Sequence, residues 1–173
     1  MELASLAYRL LIGMFLPGCI GFTAVYLNYE KVQTYINKSI LCNEPSFLLF
    51  LSLCTSCLII GYFIEGFRYI TIDMILNRIF YGKKSPKYSK EMRTETDIKF
   101  YDLVYDTSYA PYQFYSNSSI ALLTLLTQFG LNPKIELSQF ELSLIIGIII
   151  VLTAAAVRAT YGASIRIKSK FKP

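Results

Sequence analysis

Pro45-Ser-Phe-Leu-Leu-Phe-Leu-Ser-Leu-Cys-Thr-Ser-Cys-Leu-Ile-Ile-Gly-Tyr-Phe-Ile64 contains no Asp, Glu, Lys or Arg. A helix of ~20 residues, rising 1.5 Å per residue, crosses a hydrocarbon core of roughly 30 Å. A bilayer offers backbone groups no partner, so a crossing segment must be helical. Three more charge-free windows accompany this one, Leu10–Tyr29, Thr107–Pro133 and Leu142–Val157. Together they predict an all-α integral membrane protein of four transmembrane helices, with spans near 6–27, 45–65, 112–131 and 142–161 of a single domain covering 1–173. A cytoplasmic helical segment over about 66–110 is expected between spans 2 and 3.

The basic residues between the windows orient the chain. Arg9 precedes the first window, eight basic residues from Arg68 to Lys99 crowd the second connection, and five run from Arg158 into the tail. Only Lys31, Lys38 and Lys134 fall on the other side. Positive residues stay inside, which predicts that both termini are cytoplasmic. Composition agrees, since 54% hydrophobic with 17% charged residues is more apolar than ordinary globular usage. The net charge of +5 clusters beside span ends, which favours anionic lipid headgroups over nucleic acid as its partner.

Each span has its own character. Gly13, Pro17 and Gly21 recur every four residues in span 1, giving a face that another helix can approach closely and a site for a kink. Span 2 keeps helical periodicity past Ile64 through Arg68, Ile72, Ile75 and Ile79. Span 3 is the least apolar, and Asn117, Ala121, Thr124 and Gln128 share one face of it. Such a stripe seeks protein or water rather than lipid. Span 4 is branched and apolar from Leu144 to Leu152, then turns to Ala155, Ala159 and Ala163, spaced for close packing. Tyr101, Tyr105 and Tyr109, followed by Tyr112 and Tyr115, read as an interfacial aromatic belt leading into span 3.

Histidine is absent, which removes His-based acid–base catalysis, a Ser-His triad and His-ligated metals. Cys54 and Cys57 form a C-x-x-C in mid-span without a second pair, a pattern that suits small residues at a helix contact better than zinc or redox chemistry. No cofactor or metal is expected. The remaining constellation is a charge layer of Arg9, Glu65, Arg68 and Arg158, mapped to the cytoplasmic ends of three spans. Glu65 and Arg68, three apart, can pair on one face, and Glu65 is also a natural partner for Arg9 or Arg158. Ionisable groups at this depth need pairing or water, so the layer and the stripe of Asn117, Thr124 and Gln128 are the candidate sites.

The run into span 3, Tyr112-Gln-Phe-Tyr-Ser-Asn117-Ser-Ser-Ile-Ala-Leu-Leu123, resembles that of small multi-helix membrane proteins encoded beside bacterial antiviral genes, the accessory membrane proteins of CRISPR systems among them. The resemblance covers the second half of the chain. It implies an effector that permeabilises or regulates at the bacterial inner membrane, and it gives no residue a defined role. The function expected is therefore that of a non-enzymatic, oligomeric membrane protein, pore-like or acting as an effector or accessory subunit. The alternative is an anchor or scaffold whose cytoplasmic segment recruits a protein partner. An intramembrane enzyme built on Glu65 ranks below both.

Overall fold

A computed structural model describes residues 7, 10–41, 47–81, 95–132 and 137–170. The described residues are all-helical, with no strand among them. A π-helical turn, Leu11–Phe15, leads into α1 (Leu16–Asn28), and α2 (Glu30–Leu41) follows directly. The long α3 (Phe47–Arg68) runs through a second π turn, Tyr69–Asp73, into α4 (Met74–Tyr81). α5 (Glu95–Val104) passes through a third π turn, Tyr105–Tyr109, into α6 (Ala110–Leu131), and α7 (Gln139–Lys170) closes the order. Three helical stretches are long and apolar enough to cross a membrane, Leu11–Asn28, Phe47–Leu76 and Gln139–Arg166. The third expected span, α6, is not among them, because its polar first half dilutes its hydropathy.

Two of the π turns end two residues before a proline, Pro17 and Pro111. Proline lacks the N–H that would continue the i→i−4 ladder, so the preceding turn widens and bonds differently. At the first of them Leu16 N–H reaches Leu11 O, five residues back.

The four long helices alternate in direction. Met14 packs on Gly61 and Gly18 on Cys57, so α1 and α3 are antiparallel. Gln113 meets Glu65 and Tyr109 meets Arg68, which sets α6 antiparallel to α3. Thr153 meets Ser119 and Arg166 meets Thr107, which sets α7 antiparallel to α6. α1 and α6 run parallel, tied at one end by Asn117 to Gly13 and at the other by Asn132 to Leu27 and Asn28.

The α1–α3 crossing depends on glycine. A Cβ on Gly18 would collide with the Cys57 backbone, one on Gly61 with the Met14 backbone, and one on Gly21 would stand 2.7 Å from Ile60 Cγ2. Small residues let the two backbones touch, and dispersion does the rest. The expected face of Gly13, Pro17 and Gly21 is buried, together with Gly18 and Ala24. Cys57 is buried at this crossing, and Cys19, Cys54 and Cys57 are all free thiols.

α7 begins with a capping box. Ser138 Oγ accepts from Glu141 N–H, while Ser138 N–H donates to Glu141 Oε2 at 2.9 Å. Each group satisfies an orphan donor at the helix start. Most of α7 is exposed; its buried residues, among those described, are Ala156 and Ser164, beside the half-buried Ala155, Ala159 and Ala163.

Candidate functional site

Polarity and burial are inverted along this bundle. Arg68 and Asn117 are 1% and 0% exposed, whereas Phe47 and Leu48 are more than 70% exposed. Ser116, Asn117, Ser118 and Ser119 are all buried, so α6 is enclosed on every side at that height. The charged centre lies one to two turns below.

Arg68 Nη1 donates to both carboxylate oxygens of Asp73, each at 2.9 Å. Its Nη2 donates to Glu65 Oε1 at 3.3 Å and to the Tyr109 hydroxyl at 3.5 Å. The guanidinium also lies over the rings of Tyr112 and Tyr109, 5.2 and 5.7 Å from their centroids, where the ring faces attract a cation. Tyr112 donates its hydroxyl to Asp73 Oδ1. Gln113 Nε2 donates to Glu65 Oε1 at 2.5 Å. Charge-assisted bonds of this kind are what a buried guanidinium requires.

Local chain geometry makes the cluster possible. Residues five apart on an α-helix point ~140° away from one another, but the i→i+5 winding of the Tyr69–Asp73 turn stacks Arg68 on Asp73. All three π turns converge here: the first supplies Gly13, the second joins Arg68 to Asp73, and the third ends at Tyr109. Pro17 has no N–H for the carbonyl of Gly13, and Asn117 Nδ2 donates to that carbonyl instead, at 2.6 Å.

The sequence-derived residues therefore separate. Glu65 is held by Arg68, one of the three arginines expected to hold it. Arg158 stands at about the height of Gln113 but is exposed, on a shallow apolar groove of α7 with Ile150, Thr153 and Val157. Arg9 lies outside the described residues. Along the stripe, Asn117 and Ala121 are fully buried, Gln128 is half-buried and Thr124 is exposed, its hydroxyl donating back to Ile120 O. The stripe leaves the interior along α6, whose residues 116–119 are buried while Leu123, Thr124, Thr127 and Leu131 are exposed.

Asp73, Tyr112 and Gln113 are central to the site; no sequence motif marks Asp73 or Gln113, and Tyr112 reads from sequence only as part of the belt. Tyr112 corrects the belt reading, since it is 4% exposed and faces Arg68 rather than an interface. A lone carboxylate flanked by Ile72, Met74 and Ile75 was the available signal for Asp73. The side chains of Tyr101 and Tyr105 lie outside what is described. No protein family, curated protein or solved structure matches this chain.

Proposed function

We propose that the chain is an integral membrane protein of four spans with both termini cytoplasmic, working without catalysis as an oligomeric, pore-like effector or accessory subunit. The observation that carries the membrane part is the inversion of burial: large apolar side chains cover the outside, and the two largest fully buried side chains among the described residues are a guanidinium and an amide. That is the arrangement hydrocarbon favours and water does not. The alternating directions of α1, α3, α6 and α7 support counting α6 as the fourth span, its polar residues turned inward against α1, α3 and α7.

The pore-like part draws on the open end of α6. Thr124 and Thr127 are exposed there and Gln128 is half-exposed, beside exposed Leu123 and Leu131. Copies gathered around these strips would share a wet centre lined by hydroxyl and amide groups. The setting implied by the resemblance of span 3 is bacterial antiviral defence at the inner membrane.

Reconstitution into liposomes tests the proposal. The wild-type chain passes small ions and forms a homo-oligomer, and replacing Thr124 and Gln128 together by Leu abolishes flux while the oligomer persists. A monomeric particle, or flux unchanged by the double substitution, favours the alternative of a membrane anchor recruiting a cytoplasmic partner. One observation favours that second reading: Arg68 and Asp73 spend their charges on each other inside one chain.

A further inference from the structure

Arg68, Asp73 and Glu65 together carry a formal charge of −1 in a buried cluster. Glu65 Oε2 and Asn117 Oδ1 are both buried without a protein hydrogen-bond partner, as are Arg68 Nε and Ser118 Oγ. The two residues that carry these oxygens are linked through α6. Gln113 bonds Glu65, and Asn117, one helical turn further along the same face of α6, bonds Gly13 O. Gly13 lies beside Gln113: a Cβ on it would stand 3.7 Å from Gln113 Oε1, so there is room for a methyl-sized group next to that amide oxygen.

We infer that Glu65, Gln113, Asn117 and the Gly13 carbonyl form a binding site for one small monovalent cation, of the size of sodium. Every group named offers an oxygen, the donor type that hard cations take. Carbonyls freed from their backbone donor where a helix departs from α geometry hold sodium in membrane proteins for the same reason, and the Gly13 carbonyl, in a π turn four residues before a proline, keeps a second lone pair beside the one that accepts from Asn117 Nδ2. A water molecule would supply hydrogen bonds to these oxygens but no charge. A cation supplies both, and brings the cluster to neutrality. Arg68 stays on the other side of Glu65, engaged with Asp73 through Nη1. The site depends on packing within one copy and stands whether or not copies assemble into a pore.

The test is thermal unfolding of the purified full chain in detergent, in sodium chloride against choline chloride at constant ionic strength. Sodium raises the midpoint by about 3 °C for each tenfold increase above its dissociation constant. Glu65→Gln removes the sodium dependence. Gly13→Ala, whose methyl meets only ordinary contacts, keeps the fold and weakens the dependence by filling the space. Lys38→Gln, on exposed α2, retains the wild-type response. Equal midpoints in sodium and choline would overturn the site and leave water or a proton on those oxygens. A sodium response that survives Glu65→Gln would overturn it as well, by placing the ion elsewhere.

Discussion

Arg68 and Asp73 are joined by two 2.9 Å hydrogen bonds across a single π turn, and both side chains are buried. Removing one member of such a pair strands the other, at a cost of about 3–5 kcal/mol. Arg68→Leu strands two carboxylates, Asp73 and Glu65, whereas Asp73→Leu leaves Arg68 with Glu65 and two tyrosines. Arg68→Leu is therefore the more destabilising change. The double substitution costs less than the sum of the two by about 1–3 kcal/mol. Equilibrium unfolding in mixed micelles measures the cycle, and strict additivity would show that the pair is not coupled.

Asn117 substitutes for a backbone donor that Pro17 cannot provide. Asn117→Leu leaves the Gly13 carbonyl unpaired and lowers stability by about 1–3 kcal/mol. Pro17→Ala restores an N–H four residues from that carbonyl, so adding it to Asn117→Leu recovers part of the loss. The same measurement shows whether the recovery occurs.

Gly18 and Gly61 are positions where two backbones touch, and Gly66 and Gly147 meet nothing within 4 Å. Gly18→Ala and Gly61→Ala force α1 and α3 apart and reduce yield and thermal stability sharply. Gly66→Ala and Gly147→Ala are neutral, or stabilise by about 0.5–1 kcal/mol through helix propensity. Parallel melting of the four variants checks the contrast.

The cap of α7 is a smaller, local contribution. Ser138→Ala removes the hydroxyl that accepts from Glu141 N–H and donates to its carboxylate, and lowers stability by about 1 kcal/mol. Ser138→Asp retains most of it. Thermal melts of the two variants against wild type give the comparison.

How much of this was legible in the sequence depended on how local the signal was. The small-residue face of α1 and the pairing of Glu65 with Arg68 follow from α-helical spacing alone, and both occur. Asp73 did not follow, because α geometry puts a residue five places on nearly opposite Arg68, and only the π turn reverses that. Arg158 shows the complementary limit: its height along α7 could be counted from sequence, but the rotation of α7, set by Ala156 and Ser164 facing inward, could not. Asn117, Ala121, Thr124 and Gln128 share one face of α6 by spacing, yet whether that face is covered at Thr124 is decided by how its neighbours splay. Ser138-x-x-Glu141 has the spacing of a capping box, a signal local enough to be legible in the sequence.

Topology is the most direct measurement. In a chain whose native cysteines at 19, 42, 54 and 57 are replaced, single cysteines are introduced at Lys31, after α1, and at Ser89, between α4 and α5. Four spans with cytoplasmic termini predict that a membrane-impermeant maleimide labels position 31 in intact cells and labels position 89 only after the membrane is opened. Labelling of both positions from the same side, or of position 89 in intact cells, would contradict the four-span arrangement.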